Sequence, residues 1–304
     1  MISIVIPLYN KEKQIQKTLK SVLLQTYQDF EIVIVNDGST DSSVQHVLEV
    51  KDKRIRLFHQ ENAGVSAARN KGIKKSKGDL IAFLDADDEW DPEYLQTQIN
   101  LIQKYPQCHV YACNFVIKDM QGSITKTIIN NLPFKNNDGY LTNYFEVASH
   151  SNPPLWTSTI VVRKSAIEDV GGFPIGIKSG EDLITWAKLA IKYQIAYNKK
   201  ALASFLFDKT NFNIDQQSRK PENNDFIGQE LQNLYINHPA IKGLKEYIAL
   251  WHKMRSRIFL EKGFHFLAFK EALISAKFHL TYKIIVFMLM SFLPVNLVKK
   301  FFKL

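Results

Sequence analysis

Residues 81–95 read IAFLDADDEWDPEYL, an apolar run that stops at a cluster of carboxylates. Ile81 to Leu84 has the composition of a buried β-strand. The acidic residues that follow within the next seven positions are Asp85, Asp87, Asp88, Glu89 and Asp91. Carboxylates this close repel one another unless a cation or hydrogen-bond donors offset their charge. The stretch therefore predicts a strand whose carboxyl end belongs to a polar site.

Upstream of this stretch, strand-like and helix-like patterns alternate. Apolar runs at 2–7, 30–35 and 55–58 predict three further strands, and residues 65–76 predict the helix that precedes Leu80 to Leu84. Near-continuous apolar strands that alternate with helices indicate an α/β fold with a mostly parallel sheet covered by helices on both faces.

A polar cluster follows each of the four predicted strands. The clusters read YNKE at 9–12, NDGSTD at 36–41, NAGVSAARN at 62–70 and DADD at 85–88. In an open parallel sheet, ligands bind beyond the carboxyl ends of the strands. The sequence therefore predicts one binding site, built by four loops at one edge of one sheet.

The residue types in these clusters suit a phosphate-bearing ligand and a metal. Asp85 and Asp87 flank one residue, and Mg²⁺ or Mn²⁺ commonly bridges one or two carboxylates to substrate phosphates; a solvated acidic turn is the alternative. Asp37 either accepts hydrogen bonds from a base or ribose, or only shapes the turn at its strand end. Tyr9 either stacks on a base or packs, and Arg69 either reaches a phosphate or lies on the surface.

Five of these segments together resemble a known family. PLYN at 7–10, NDGSTD at 36–41, NAGVSAARN at 62–70, FLDADD at 83–88 and GED at 180–182 resemble the nucleotide-sugar-dependent family 2 glycosyltransferases with the GT-A (Rossmann-like) fold. The resemblance covers roughly residues 1–210. It rests on the order and spacing of the segments, since each one alone is a weak signal.

The resemblance implies a role for each matching residue. Pro7, Leu8 and Tyr9 would line the nucleotide pocket, and Asp37 would bind uracil or another base. Asp85, Ala86 and Asp87 match the DxD motif, whose carboxylates hold a Mg²⁺ or Mn²⁺ ion, the diphosphate and the ribose. The implied partners are a nucleotide-sugar donor, most simply a UDP-sugar, and a glycan acceptor.

Glu181 and Asp182 match the family's ED pair, whose aspartate is the usual catalytic base. The implied reaction inverts the anomeric centre of the donor sugar. Both residues precede a helical pattern at 183–193, and a helix N-terminus stabilises carboxylate anions, although they also fit as ordinary first-turn acids. Trp156 either packs against an acceptor sugar or belongs to the core.

One feature departs from the family pattern. Many relatives carry a histidine after the ED pair, and residues 205–219 contain none. Asp208, Lys209 or Arg219 would then supply a further contact to the metal or diphosphate, unless fewer protein ligands suffice. The polar stretch 208–225 is interpreted as a lid that excludes water during transfer.

The charge distribution suggests a domain division. Residues 1–240 are predicted to form the GT-A domain, with a nucleotide-binding half at about 1–100 and an acceptor half at about 101–240. Residues 241–304 hold ten lysines, two arginines and three glutamates. Their net charge therefore equals the formal net charge of the whole chain, +9.

The basic tail also contains long apolar segments, notably at 284–290, interrupted by Pro294. This pattern favours an amphipathic helix on an anionic membrane surface; a packed core or oligomer contact and a membrane-spanning helix are the alternatives. Nucleic acid is a poor partner because no recognised binding module is present. We expect a cytoplasmic protein, peripheral on the inner face of the cell membrane, that acts on a lipid-linked glycan in cell-surface polysaccharide synthesis.

Two observations support the cytoplasmic expectation. No basic segment precedes a longer apolar stretch at the N-terminus, as a secretory signal would require. Cys108 and Cys113 lack partners at metal-binding spacing, and they are interpreted as reduced thiols.

Two other functions stay open. A sugar-nucleotide pyrophosphorylase would show a glycine-rich loop with arginine after the first strand, whereas this chain has PLYNKE at 7–12. A catalytically degenerate GT-A protein would bind a nucleotide sugar, or act as a scaffold, without turnover. The intact Asp85, Asp87 and Asp182 favour the enzyme.

Overall fold

The computed structural model describes residues 1–119, 121–207, 221–222 and 224–302. The chain divides into two compact units, Met1–Thr142 with Ser151–Asp208 and Asn143–His150 with Lys209–Leu304. The division thus lies near residue 208, whereas the charge distribution led us to expect it near 240. The reason is that Asp225 caps a helix, Phe226–Asn237, that packs on the helix Leu244–Glu261 of the same unit.

The N-terminal part of the first unit is the predicted alternation of strands and helices. Its strands run parallel in the order β3-β2-β1-β4. The elements are β1 (Ile2–Leu8), α1 (Ile15–Leu23), β2 (Phe30–Asp37), α2 (Ser43–Glu49), β3 (Ile55–Gln60), α3 (Val65–Lys75) and β4 (Leu80–Phe83). Because these four strands are parallel, their carboxyl ends lie at one edge of the sheet.

Both faces of this sheet are buried. Ile4 and Ile6 pack with Leu19 of α1 in one core cluster. On the other face α3 approaches β1 so closely that a Cβ added at Gly72 would lie 2.3 Å from Val5 Cγ1. The glycine is therefore required for the close contact of helix and strand.

The sheet continues beyond β4 with mixed strand directions. The remaining elements of this unit are β5 (Glu89–Trp90), α4 (Tyr94–Lys104), β6 (Val110–Asp119), β7 (Ile124–Lys126), β8 (Asp138–Tyr140), β9 (Ile160–Arg163), α6 (Lys164–Asp169), α7 (Glu181–Lys192) and β10 (Ile195–Phe207). The strand order is β4-β9-β6-β10-β5, in which β9 pairs antiparallel with both β4 and β6, and β10 runs parallel to β6. The mixed half was not predicted from the sequence.

The second unit is helical. It contains α5 (Tyr144–His150), α8 (Phe226–Asn237), α9 (Leu244–Glu261), α10 (His265–Phe278), α11 (Tyr282–Met290) and α12 (Val295–Phe302). Within the described residues of this unit, Phe259, Leu260, Ala268, Met290 and Val298 form one buried apolar cluster. Among the described residues, no helix combines the length and the apolar character that a membrane crossing needs.

Candidate active site

The loops that follow β1 and β2 hold each other through hydrogen bonds at the carboxyl edge of the sheet. The Thr40 amide donates to Asn10 Oδ1 over 2.8 Å, and the Lys11 amide donates to Ser43 Oγ over 2.7 Å. Lys11 Nζ also contacts Asp87 Oδ2, from the loop after β4, at 2.5 Å. The structure therefore brings three of the predicted clusters together.

Asp37 at the end of β2 shapes the fourth loop. Its carboxylate accepts hydrogen bonds from the Ala63 amide (2.9 Å), the Gly64 amide (2.9 Å) and Gln60 Nε2 (2.7 Å). A carboxylate has about four lone-pair positions, so one acceptor position stays available beside these three. Asp37, which is 3% exposed, thus orders the loop before α3.

The other residues assigned to the nucleotide pocket differ in their exposure. Tyr9 is 47% exposed, so its ring is accessible to a ligand, and Pro7 is partly exposed. The side chain of Leu8 is fully buried, and Ala86 is nearly so, with its carbonyl accepting a hydrogen bond from Thr18 Oγ1 at 3.0 Å. Leu8 and Ala86 can therefore shape a pocket mainly through their backbone.

Arg69 connects the two acidic motifs. Its guanidinium contacts Asp85 Oδ1 at 2.8 Å and Glu181 Oε1 at 3.1 Å, and its side chain is 5% exposed. Burial lowers the pKa of Arg69, but the carboxylates of Asp85 and Glu181 outweigh burial and raise the pKa above its ordinary value. Arg69 is therefore an internal counter-charge to these carboxylates. It is not the surface arginine that was one of the two interpretations of the sequence.

Asp85 and Asp87 are the exposed members of the acidic turn. Their side chains are 25% and 30% exposed. Both offer hard oxygen donors of the type that Mg²⁺ and Mn²⁺ prefer. Lys11, which contacts Asp87, is itself 37% exposed and can exchange for another cation. The donor set of the turn therefore fits a divalent ion.

Glu181 and Asp182 occupy the first turn of α7. Gly180, immediately before them, has φ +86°, a left-handed conformation that favours glycine. Burial raises the pKa of both carboxyls, and the charge of Asp182 raises that of Glu181 further. The Leu183 amide donates a hydrogen bond to Asp182 Oδ1 and so acts to lower the pKa of Asp182, as expected at a helix N-terminus. Burial raises this pKa by more than the hydrogen bond lowers it.

The sequence did not assign a role to Asn70. Its side-chain amide donates to the Phe173 carbonyl (2.7 Å) and accepts from the Phe173 amide (2.9 Å). It thereby fastens α3 to the loop that leads to Glu181. The only signal for this residue was its place at the end of the NAGVSAARN segment.

Asp88 and Ser158 were also missed. Asp88 is 1% exposed, and its carboxylate accepts a hydrogen bond from Ser158 Oγ at 2.5 Å. Burial raises the pKa of Asp88 well above its ordinary value, and the charges of Asp87 and Asp85 add to the effect. Asp88 was visible as part of DADD, but Ser158 lies 70 residues later in a segment without a motif.

Trp156 packs within the protein. Its ring stacks on Phe115, with 5.3 Å between centroids, and lies against Phe205 at 5.0 Å. It remains partly exposed, so packing and contact with a sugar are both compatible with its position.

Three residues proposed to replace the missing histidine, Asp208, Lys209 and Arg219, lie outside the described residues. The same holds for most of the stretch 208–225 that was interpreted as a lid.

The second unit contains another buried cluster of ionisable groups, Asp225, His252 and Glu271, whose ligand-type atoms lie within 4.8 Å of one another. Arg255 contacts Asp225 at 3.3 Å and Glu271 at 2.9 Å, and His252 Nδ1 contacts Glu271 at 2.6 Å. The cluster therefore contains its own counter-charge, the Arg255 guanidinium.

Comparison with known proteins decides the family. The model of "Glycosyl transferase family 2" matches residues 3–171, more than half of the chain. The chain belongs to this family. An uncharacterized glycosyltransferase of Rickettsia conorii is 33% identical over 206 residues, which cover 66% of this chain and 32% of the relative.

A second relative is the glycosyltransferase GlyA of Streptococcus pneumoniae. It is 30% identical over 214 residues, which cover 68% of this chain and 31% of the relative. This chain thus spans about a third of the length of these curated relatives.

Solved structures of the family's fold align over nearly the whole chain. S. aureus TarS 1-349, in complex with UDP, aligns with a TM-score of 0.58 at 19% identity over 99% of this chain and 91% of that protein. Mannosyltransferase PcManGT from Pyrobaculum calidifontis, in complex with GDP-Man and Mn²⁺, aligns with a TM-score of 0.63 at 16% identity over 98% and 83%. These alignments confirm the expected α/β fold of the GT-A type.

Proposed function

We propose that this chain is an inverting, divalent-metal-dependent glycosyltransferase that moves a sugar from a nucleoside diphosphate to a hydroxyl group of a glycan. The observation that carries the proposal is the convergence of two acidic pairs, Asp85 with Asp87 and Glu181 with Asp182, around Arg69. A nucleotide sugar needs both a cation for its diphosphate and a base for the incoming hydroxyl.

The nucleotide is held at the carboxyl ends of β1 and β2. Tyr9 offers an exposed aromatic ring, and Asp37 offers one remaining acceptor position for a base N–H. Pro7, Leu8 and Ala86 line this part of the pocket. The TarS structure with UDP supports UDP as the donor's nucleotide.

Asp85 and Asp87 would hold the metal, and the Mn²⁺ in the PcManGT structure supports the assignment. A bound Mg²⁺ or Mn²⁺ offsets the negative charge that develops on the leaving diphosphate. Arg69 keeps Asp85 oriented and places a further positive charge beside the phosphates.

Asp182 takes the proton from the acceptor hydroxyl, and Glu181 fixes the start of α7 through its contact with Arg69. A general base works best when its pKa lies near the working pH, and the raised pKa of Asp182 moves it in that direction. Attack on the face opposite the leaving group inverts the anomeric centre.

A donor screen tests the proposal. Purified chain is incubated with Mn²⁺ or Mg²⁺ and a panel of UDP-, GDP- and dTDP-sugars, and the released nucleoside diphosphate is measured. We expect metal-dependent release from one donor, loss of release in Asp87→Asn, and no change in the control Asp29→Asn, whose side chain is 64% exposed. Nucleotide binding without release from any donor would leave two explanations, an obligatory lipid-linked acceptor or the degenerate, non-catalytic function.

We further propose that the second unit docks on an anionic membrane surface, on the cytoplasmic side, where the acceptor is a lipid-linked glycan of a cell-surface polysaccharide. The outer sides of α10 to α12 and their connections expose many large apolar side chains. The exposed set includes Phe266 (80%), Leu289 (63%) and Phe292 (76%). Apolar surface of this extent marks an interaction site.

The charge of the segment from α10 to α12 favours lipid over a protein partner. Residues 265–302 contain five lysines and one acidic residue, the buried Glu271. Basic residues near an anionic bilayer contribute about 1 kcal/mol each. Ile284, Met290 and Val298 are buried inside the unit, so the exposed apolar residues are additional to its core.

Vesicle co-sedimentation of the full chain tests the docking. We expect binding to phosphatidylglycerol vesicles, little binding to phosphatidylcholine, and at least about a tenfold loss in the double variant Leu289→Ser, Phe292→Ser, since burial of one such side chain contributes about 1.5–3 kcal/mol. Leu24→Ser is the matched control, because Leu24 is 59% exposed in the first unit. Unchanged vesicle binding in the double variant, or dissociation of a dimer instead, would overturn the proposal.

A further inference from the structure

Asp88 follows the proposed metal ligand Asp87 but faces the interior. Its Oδ2 accepts from Ser158 Oγ at 2.5 Å and lies 3.4 Å from Trp156 Nε1, and its Oδ1 accepts from the Leu206 amide at 3.3 Å. Two separate segments, 156–158 and the end of β10, therefore meet on one buried carboxylate. Since both of its oxygens have protein partners, Asp88 has a different task from its exposed neighbours.

Ser158 closes the acidic turn from the other side. Its hydroxyl accepts a hydrogen bond from the Asp85 amide at 3.1 Å while it donates to Asp88. Inside the turn, the Asp88 amide donates to the Asp85 carbonyl at 3.0 Å. One hydroxyl thus joins the first and last residues of the turn that carries both proposed metal ligands.

Ser158 is itself held rigidly. It is fully buried, and its carbonyl accepts from Trp90 Nε1 at 2.6 Å. The residues around it form the short 3₁₀ turn Thr157–Thr159 that leads directly into β9. The support of the acidic turn therefore comes from the sheet and from an adjacent buried indole.

We propose that Asp88 and Ser158 are positioning residues for the metal site. They fix the backbone between Asp85 and Asp87 so that both carboxylates point to one cation, and through Leu206 they couple this turn to the end of β10. The inference rests on the proposed metal-dependent function. Groups that orient metal ligands typically contribute 10- to 100-fold to metal affinity, and Mg²⁺ demands near-ideal ligand geometry.

A purely structural role is the alternative. In that case the contacts of Asp88 would hold β10 and Trp156 in place, and their loss would lower the melting temperature without a specific effect on metal binding. Metal affinity, measured on folded variants, separates the two roles because it does not depend on turnover.

The experiment is a Mn²⁺ titration, with Mn²⁺ alone and with UDP, on wild type, Asp88→Asn, Ser158→Ala and the double variant. We expect each single variant to raise the Mn²⁺ Kd by about 10- to 100-fold. The double variant should bind Mn²⁺ only slightly more weakly than the weaker-binding single variant, because both residues act through one contact. Asp91→Asn is the matched control, because Asp91 caps the adjoining turn by accepting from the Glu93 amide and should leave the Kd unchanged.

The outcomes are distinct. Folded variants with a wild-type Mn²⁺ Kd, or effects that simply multiply in the double variant, would overturn the positioning role while the metal-dependent function stands. A wild-type chain that binds no Mn²⁺ would overturn both. Ser158→Ala, which removes one hydroxyl, keeps the test available where Asp88→Asn does not fold.

Discussion

Two clusters of ionisable groups in this protein differ in the balance of their charges. In the first unit, Arg69 and the partly exposed Lys11 face an excess of carboxylates, namely Asp85, Asp87, Asp88, Glu181 and Asp182. In the second unit, Arg255 contacts two carboxylates, Asp225 and Glu271, and His252 Nδ1 contacts Glu271. The first cluster has the larger excess of negative charge, at the edge of a sheet, whereas in the second cluster one guanidinium faces two carboxylates within a helical unit.

The pKa values of the two clusters show the consequence. Burial raises the pKa of Asp182 and of Glu181, and Arg69 offsets only part of that effect. Burial also acts to raise the pKa of Glu271, but the bonds from His252 and Arg255 outweigh it and leave the pKa below its ordinary value. The spacing of Asp225, His252 and Glu271 makes the second cluster a metal candidate, whereas the charge balance favours a cation at the first cluster and a structural role for the second.

The largest expected effect concerns the proposed base. Asp182→Asn should lower the transfer rate by about 10²- to 10⁴-fold, because the variant cannot accept the proton of the acceptor hydroxyl. Nucleotide binding, followed by titration with UDP, should persist. Equal loss of binding and transfer would show that Asp182 acts on the donor instead.

Removal of the second cluster's cation should affect stability rather than chemistry. Arg255→Met leaves Asp225 and Glu271 buried without their main counter-charge, and breaking such a pair typically costs about 3–5 kcal/mol. Urea unfolding measures the change, with Arg257→Met as the control, since Arg257 is 57% exposed. A wild-type unfolding free energy in Arg255→Met would contradict the structural role of the cluster.

A moderate effect is expected in the pH profile of transfer. A base must be deprotonated, so kcat/KM should rise with pH through the raised pKa of Asp182, above the ordinary range of aspartate. Arg69→Met removes the charge that lowers this pKa, so the acidic limb should move to higher pH. If the acidic limb, measured with saturating Mn²⁺, does not move in Arg69→Met, then Arg69 does not influence the pKa of the catalytic base.

The smallest effect concerns acid stability. The folded pKa of Glu271 is lowered, so its stabilising contribution is complete above the ordinary value of 4.5 and is lost as the pH falls through the lowered pKa. Glu271→Gln should therefore be less stable than wild type at pH 7, and the gap should narrow below about pH 4.5. If the difference in unfolding free energy between wild type and Glu271→Gln is independent of pH, then packing rather than charge explains the loss of stability.

The sequence predicted the parallel half of the fold because its signals are local. Apolar runs and turn residues located β1 to β4 within two residues of their observed ends, and the polar clusters after them do meet at one edge. The insertion of β9 between β4 and β6 was not predictable in this way. It depends on antiparallel pairing between strands that lie about 80 residues apart, as Leu80 with Arg163 shows.

The difference between local sequence signals and contacts between distant residues also applies to the candidate site. Asp85, Asp87, Glu181 and Asp182 stand in recognisable motifs. The contact between Arg69 and Glu181 joins residues 112 positions apart, and that between Asp88 and Ser158 joins residues 70 apart. Such supporting contacts leave no periodicity in the sequence, because they depend on how distant elements pack.

The central claim is that a divalent cation binds where carboxylates are in excess, and a Mn²⁺ titration followed by electron paramagnetic resonance tests it most directly. Wild type, Asp87→Asn and Glu271→Gln are titrated in the presence of UDP. We predict one Mn²⁺ site that is lost or weakened at least about tenfold in Asp87→Asn and retained in Glu271→Gln. Loss in Glu271→Gln with retention in Asp87→Asn would place the metal in the second unit and contradict the account.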